Sequence, residues 1–463
     1  MKFSGLQIAQ ATRGVLHQGD HVGPLGTDTR ALPADAWFVA LAGERFDAHD
    51  MLDAAAAAGA GGAVLSRQAG WTGPWVQVAD TTVALQDLGR CARTRLNGPV
   101  VALTGSSGKT TTRALIACAL SPMGLVHQTV GNLNNHLGVP LTLCAAPQSA
   151  AVTVVEMGTS SPGEIAFLAE MATPDVRLVI NVGAAHLQEL GGLSGVGDEK
   201  SALHRSARPG DTCITNADDP NLRDRAFPGR RLSFGVAKDA DIRVSDVVVD
   251  ADAWCTRARF HTPAGVVDAV IPAPGTHIAL DAAAALAVAY ALEVDLHEAA
   301  AALASYAPVG MRFKPVPLPN GALAINDAYN ANPQSMRASL DTLAAMDGRR
   351  VAVLGDMLEL GDGEAALHQE LVAHACSLGL DLVALVGPRM VAAAQANAAC
   401  LGQAEGQAGV LERLMVADDG VTIASPIAAF LKPGDRVLFK GSRGARVERV
   451  LDAVVDALKT EAS

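Results

Sequence analysis

Val100-Val101-Ala102-Leu103-Thr104-Gly105-Ser106-Ser107-Gly108-Lys109-Thr110-Thr111 decides the fold. The apolar run is short and continuous, as in parallel strands covered on both faces. It passes straight into a glycine loop, and helical sequence follows over 111–120. A glycine turn before a helix is the plain alternative. Strand, loop, lysine, paired threonines and helix in this order point instead to a phosphate-binding loop. Glycines let backbone N–H groups close around phosphate oxygens, and the helix offers its positive end. Lys109 can neutralise β/γ charge, and the Thr110 hydroxyl can ligate Mg²⁺. The longer general motif has glycine at position 103; Leu103 stands there, so the loop fits the shorter form Gly-x-x-Gly-Lys-Thr.

The pattern continues outward from the loop. Strand-like runs over 152–155, 176–180 and 213–215 end in Glu156, Asn181, and Asn216 with Asp218 and Asp219. Ligands of open α/β sheets bind at the carboxyl ends of strands. Residues 231–273 read as short β-rich pieces around Pro263-Ala264-Gly265, a hairpin excursion, and a helix over 278–292 closes this block. Upstream, strands over 37–41 and 63–65 flank a helix over 51–58, and a helix over 81–96 runs to the turn Asn97-Gly98-Pro99. Downstream, strands over 351–354, 382–386 and 437–439 alternate with helices in a doubly wound pattern. The last helix sets Val447, Val450, Leu451, Val454, Val455 and Leu458 at three- and four-residue steps, an amphipathic face closing on a sheet.

The fold class is therefore α/β with three domains: a small α/β N-terminal domain over 1–97, a central domain over 98–310, and a third over 311–463. The central domain is P-loop-type, with a mostly parallel sheet and helices on both faces. A length of 463 residues suits three such units, and 49% hydrophobic residues can give each a core.

Charge and cysteine usage exclude several function classes. The net charge of −12 carries no basic block, which argues against nucleic acid as a partner. Seven cysteines, odd in number and never spaced CxxC, suggest the reduced cytosol with neither a zinc site nor a disulfide framework. Residues 1–14 lack an apolar core of signal-peptide length. The Ala-rich runs are broken by charges and glycines short of a membrane span. The expectation is a soluble, cytoplasmic protein without membrane insertion, acting as a monomer.

A nucleotide loop needs metal ligands opposite it. Glu156, at the end of its strand, is placed to be one. His186 and Lys200, judged by spacing alone, are a structural or merely exposed loop histidine and a surface lysine. Asn132, Asn134 and Asn135 read as a polar turn, and Asn332-Pro333 as a helix entry with Asn332 the N-cap. His277, on an apolar helix, suits packing as well as contact.

Taken together, these residues resemble the Mur ligases, amide-forming ligases of peptidoglycan assembly. The likeness rests on 104–111, Glu156-Met157-Gly158, 181–186 and Lys200 in order. It also rests on Gly131-Asn132-Leu133-Asn134-Asn135-His136-Leu137-Gly138-Val139-Pro140, Asp327-Ala328-Tyr329-Asn330-Ala331-Asn332-Pro333, 353–361 and Lys440-Gly441-Ser442-Arg443-Gly444. Thr27-Asp28-Thr29-Arg30 and Gly43-Glu44-Arg45-Phe46-Asp47-Ala48-His49-Asp50 match the family's uridine-binding domain. Within the family the motifs are most similar to members that join D-alanyl-D-alanine to UDP-N-acetylmuramoyl-tripeptide.

The resemblance implies an ATP- and Mg²⁺-dependent ligase working through an acyl phosphate, with a Rossmann-like C-terminal domain. It implies that Gly105, Ser106, Ser107, Gly108, Lys109, Thr110 and Thr111 hold the nucleotide with His277, Asp281, Arg312 and Asp327. Lys109, Glu156, His186, Lys200 and Arg312 would form the catalytic group, with Thr110, Glu156, His186 and a carbamylated Lys200 at the metal. Thr27, Asp28, Arg30, Asp47 and His49 would meet the UDP-sugar. Asn132, Asn134, Asn135, Tyr329, Asn330 and Asn332 would meet the peptide substrates. Three places depart from the family pattern: Lys200-Ser201-Ala202-Leu203, Gly275-Thr276-His277-Ile278 with Asp281, and Asn326-Asp327. Two other readings stay open: a sister ligase adding one amino acid to a muramyl peptide or a folate, and an ATP-binding regulatory module without chemistry.

Overall fold

Val100–Thr104 is buried at every residue and lies inside a nine-stranded sheet in the computed structural model. The structure describes residues 1–43, 46–223, 225–401, 414–417 and 420–461, so Glu44 and Arg45 of the motif at 43–50 lie outside the described residues. Parallel neighbours flank the strand, Val152–Glu156 on one side and Val176–Val179 on the other. Beyond the first lies Val126–Gln128; beyond the second come Thr212–Asn216, Arg230–Gly235, Ile242–Asp250, Cys255–Thr262 and Gly265–Ile271. The chain fills one edge first and then crosses back past Val100–Thr104 to fill the other. Strand order thus reverses at the loop, where such sheets open a crevice.

The pairings are parallel as far as Ile242–Asp250, and the last two are antiparallel. The segment after 231 is therefore no excursion: it extends the central sheet. In Gly265–Ile271 buried and exposed residues alternate, so one face packs and the other meets solvent. An antiparallel edge allows this. The Arg and Asp residues of the solvent face break up the apolar run that marks the inner strands, so the sequence suggests shorter pieces.

The helix after the loop is Lys109–Ala119, starting two residues before the apolar periodicity because Lys109 and Thr110 already belong to its first turn. Its N-cap, Gly108, has φ 77°, and a Cβ there would sit 3.1 Å from Asp281 Oδ1. Glycine answers both constraints. Helix Thr276–Ala291 is buried nearly all round between Ile278 and Ala289, and its alanines share one core with Leu115, Ile116 and the sheet.

The N-terminal sheet runs in the order Val15–His17, Trp75–Gln77, Gly62–Leu65, Trp37–Val39, Leu25–Gly26. Helix Thr81–Thr94, capped by Asp80, puts Leu85, Leu88 and Ala92 into the same core as Val100, Ala102, Val139 and Leu143. The first unit is thereby cemented to one face of the central sheet. The C-terminal sheet has six strands: Lys314–Pro317, Leu323–Asp327, Arg436–Lys440, Arg350–Gly355, Leu382–Val386 and Leu414–Ala417. All its pairs except the first are parallel, with apolar clusters on both faces. Asn332 caps helix Pro333–Ala344, with Pro333 at its start. Among the described residues, no helix is long and apolar enough to cross a membrane.

Candidate active site

One cavity of about 570 Å³ takes its walls from the phosphate loop, the Asn-rich loop at 131–137 and the C-terminal unit. Its size suits a nucleotide-scale ligand. Ser106, Ser107, Gly108, Lys109, Thr110 and Thr111 line it, with Glu156, His186, His277, Asp281, Arg312 and Asp327. Asn132, Asn134, Asn135, Tyr329, Asn330 and Asn332 line it too.

Asn181, at the end of its strand, fixes the loop's entry by accepting from the N–H groups of Ser106 and Ser107 at 3.0 Å each. Lys109 curls back so that its Nζ donates to the Gly105 carbonyl at 2.8 Å. Burial lowers its pKa, Glu156 opposes that shift, and Arg312 adds to it.

Glu156 is buried and fully engaged. Its Oε2 accepts from Thr110 Oγ1 at 3.0 Å and Arg113 Nη1 at 2.9 Å, and its Oε1 accepts from Asn134 Nδ2 at 2.9 Å. The backbone N–H of Glu156 donates to Thr129 Oγ1. Arg113 also reaches Gln128 and the Gly131 carbonyl, so one guanidinium ties the metal-type carboxylate to the Asn-rich loop. Within that loop the asparagines divide. Asn134 reaches Glu156, whereas the Asn135 side chain accepts from the N–H groups of Leu137 and Gly138, as a polar turn would.

His186 sits in left-handed backbone, φ 52°, and its Nδ1 lies 2.9 Å from Glu359 Oε2 of the C-terminal unit. Burial lowers its pKa, with Glu359 opposing and Lys109 and Lys200 assisting. Lys200, on helix Leu193–Arg205, is no surface lysine. It is 2% exposed and has no hydrogen-bond partner among the described residues. Burial, then the Lys109 cation, push its pKa well below the ordinary lysine value.

The C-terminal unit closes the far wall. Arg312 stacks on the Tyr329 ring, 3.7 Å from its centroid. Asp327 is saturated: Oδ2 accepts from Lys440 Nζ at 2.6 Å and Ser339 Oγ at 2.7 Å, and Oδ1 from the Phe313 N–H. Lys440 also reaches the Asn330 carbonyl. Asn332 Nδ2 donates to the Ser106 carbonyl at 3.4 Å, and Ser107 Oγ to Gln334 Oε1 at 3.3 Å, so the second sheet touches the phosphate loop directly. On helix Thr276–Ala291, burial lowers the His277 pKa to about 4, and its Nδ1 has no hydrogen-bond partner among the described residues.

Thr27, Asp28, Arg30, Asp47 and His49 are not in this cavity wall; they stand on the N-terminal unit. Asp28 caps the turn Thr29–Ala31 and pairs with Arg30, whose hydrogen bonds bring its pKa down to about 2. Asp47 holds His49 Nδ1 at 2.6 Å and Arg67 at 2.9 Å, while the Ser66 N–H donates to His49 Nε2. Sequence reasoning did not single out Asn181, Arg113, Glu359, Gln334 or Lys440 as site residues. For Arg113, the available signal was its place one helical turn after Lys109.

Residues 103–289 match the Mur ligase middle domain, and residues 311–443 the Mur ligase glutamate ligase domain. The chain is 35% identical over 454 residues to the UDP-N-acetylmuramoyl-tripeptide–D-alanyl-D-alanine ligase of Escherichia coli, covering 97% of each. To the Bacillus subtilis enzyme of the same name it is 31% identical, covering 97% of this chain and 98% of that one. Its structure is similar to MurF from Acinetobacter baumannii, with TM-score 0.88, 30% identity and coverage of 98% and 99%. It is also similar to MurF from Thermotoga maritima in complex with ADP, with TM-score 0.78, 30% identity and coverage of 95% and 98%.

Proposed function

The chain belongs to the Mur ligase family, and from that premise we propose how its residues divide the work of an ATP-dependent ligase joining D-alanyl-D-alanine to UDP-N-acetylmuramoyl-tripeptide. The observation that carries this reading is the single cavity walled by both the phosphate loop and the Tyr329–Asn332 stretch. There a phosphate on the loop and an amine held by the C-terminal unit can meet.

The tripeptide's terminal carboxylate attacks the γ-phosphorus of ATP, the bond to the β,γ-bridging oxygen breaks, and an acyl phosphate and ADP result. The dipeptide's neutral amine then adds to the acyl carbon. Phosphate leaves, and the nitrogen loses a proton to give the amide. Carboxylate and triphosphate repel each other, so the loop N–H groups, Lys109 and Arg312 must screen that charge.

Thr110, Glu156 and His186 are the residues that would hold Mg²⁺. Among the described residues no three His, Cys, Asp or Glu side chains gather as an ion site. One carboxylate, one hydroxyl and one imidazole around a phosphate pocket suit an ion held mainly by phosphate oxygens and water. Bound there, Mg²⁺ would supply neutralisation of the triphosphate. Lys200 we assign to carbamylation. A buried neutral amine adds to CO₂ and loses a proton, turning a destabilised cation into an anion beside Lys109.

The domain division at 97/98 and 310/311, UDP-sugar binding by the Asp28 and Asp47 clusters, and a cytoplasmic monomer belong to the same proposal. One chain walls the cavity by itself, and ATP is supplied in the cytoplasm. ADP release with Mg-ATP and the UDP-tripeptide, with and without D-alanyl-D-alanine, tests it. Release that needs the dipeptide and yields the pentapeptide supports the assignment. Release driven by a single amino acid would replace the acceptor, and none under any acceptor would leave a binding module.

A further inference from the structure

Among the described residues, four carboxyl groups line the cavity, those of Glu156, Glu164, Asp281 and Asp327. Three are engaged by the protein itself. Glu156 accepts on both oxygens from Thr110, Arg113 and Asn134. Asp327 accepts on both from Lys440, Ser339 and the Phe313 N–H. Asp281 is buried against Thr112, and burial raises its pKa to about 7. Glu164 differs. Its Oε2 takes the N–H groups of Ser160 at 2.6 Å and Ser161 at 3.0 Å, with the Ser160 hydroxyl at 3.5 Å. The one proton of the neighbouring Thr159 hydroxyl is directed to the Ser161 carbonyl at 2.9 Å and to Glu199 Oε1 at 3.3 Å. Oε1 of Glu164 is left open to the cavity. Nor is Glu164 needed to cap its own helix, Glu164–Ala172, because the Gly163 and Ile165 N–H groups donate to Glu199 at 2.7 Å each. Burial would raise the Glu164 pKa, but the Ser160 and Ser161 N–H groups outweigh it, with Thr159 and His136 assisting, and hold it below the usual carboxylate value. An ionised carboxylate with a vacant oxygen therefore faces the substrates.

We propose that Glu164 is a specificity-determining residue whose Oε1 receives a non-reacting ammonium group of the tripeptide substrate. The muramoyl group acylates the tripeptide's N-terminus, so such an ammonium sits on a side chain. The side chain nearest the phosphate loop belongs to the residue whose carboxylate is activated. Glu164 lies on the wall that carries Glu156: the Gly158 N–H donates to the Asn134 carbonyl at 2.8 Å, and Asn134 Nδ2 reaches Glu156. It is a poor partner for the dipeptide's amine. A carboxylate beside an amine favours the protonated form, which has no lone pair to attack the acyl carbon. A side-chain ammonium has no such duty, and the charged hydrogen bond only strengthens its binding. Losing a hydrogen bond to a charged group typically costs roughly 10–100-fold in affinity.

The inference rests on the ligase reading, and the test separates the two. The probes are UDP-N-acetylmuramoyl-tripeptides ending in lysine and in norleucine, which lacks only the ammonium. Each is assayed for amide formation with D-alanyl-D-alanine by the full chain, as wild type, Glu164→Gln and Glu164→Asp, and each melting temperature is recorded. The amide oxygen of Glu164→Gln can still accept from Ser160 and Ser161, so the turn is kept while the charge is lost. We expect wild type to have the lower KM for the lysine form. Glu164→Gln should shrink that preference roughly 10–100-fold, and Glu164→Asp, which keeps the charge, should retain part of it. A preference as large in Glu164→Gln as in wild type makes Glu164 a structural residue, whatever the melting temperature does, and overturns the assignment while the ligase reading stands. A loss that lies instead in the KM for D-alanyl-D-alanine, equal with both tripeptides, places the dipeptide's amine on Glu164 and overturns it too. If wild type forms no amide with either tripeptide, the ligase reading fails and this inference fails with it.

Discussion

The hydroxyl of Thr112 lies 2.9 Å from Asp281 Oδ1 and 3.0 Å from the Gly108 carbonyl oxygen. It has one proton to give, and the carbonyl can only accept. If that proton goes to Gly108, closing the first turn of the helix, the hydroxyl oxygen faces Asp281 as an acceptor. The carboxyl must then be the donor. A neutral Asp281 satisfies the whole chain, and burial raises its pKa to about 7, with the Thr112 bond opposing. Nearby Tyr306 is pushed up to about 12, chiefly by burial.

This makes stability depend on pH with a definite sign. The folded pKa stands above the unfolded one, so the contribution is full below about pH 4, is lost as pH rises towards about 7, and stays lost above it. Three units correspond to roughly 4 kcal/mol. Asp281→Asn donates to Thr112 at every pH and removes the slope. Its melting temperature relative to wild type should climb between pH 4 and 7 and level off beyond. A difference that does not vary with pH would show that Asp281 is ionised throughout.

In the proposed mechanism Lys109 screens the charge that builds up in the first chemical step. By analogy with losing one oxyanion donor, Lys109→Ala should lower the rate of ADP formation roughly 10²–10³-fold, about 2.7–4 kcal/mol. Folding should hold, because burial already disfavours the cation. Single-turnover ADP release at saturating ATP is the measurement. A rate near that of wild type would remove Lys109 from the chemistry.

The phosphate loop was legible because its determinants are local: strand, glycine, lysine and helix follow one another within twelve residues. Glu156 was legible for a related reason, since a strand's carboxyl end says where its last side chain will be. Arg113 and Lys440 were not. Each becomes a site residue only when distant strands lie side by side, Val100–Thr104 next to Val152–Glu156, and Leu323–Asp327 next to Arg436–Lys440. The Asp28 and Asp47 clusters emerged from resemblance alone, because short polar turns look alike before they are folded. Lys200 shows the opposite hazard: a lysine amid helical polar residues reads as surface, and only the packed structure reveals its burial.

Lys200 gives a chemical test. Burial well below the usual lysine pKa leaves an amine ready to add CO₂. Lys200→Ala should lose most activity and regain part of it with added formate or acetate, short carboxylates standing in for the carbamate. Wild-type turnover should be unaffected by the same salts. A variant with normal rates, or one that no carboxylate rescues, argues against the carbamate.

Arg113 and Glu156 form the most buried charged contact of the site, with both side chains 3% exposed. Removing one partner of such a pair leaves an uncompensated charge, typically a loss of 3–5 kcal/mol, whereas neutralising both is far milder. Arg113→Met should therefore lower stability by about that amount and release Gln128 and Gly131 from their shared anchor. Arg113→Met combined with Glu156→Gln should recover much of the stability yet stay inactive, because the carboxylate proposed for Mg²⁺ is gone. Urea unfolding of the two single variants and the double variant yields the coupling energy. Simple additivity would mean that Arg113 is dispensable to Glu156, and the shared guanidinium could then not be what holds the Asn-rich loop against the metal-type carboxylate.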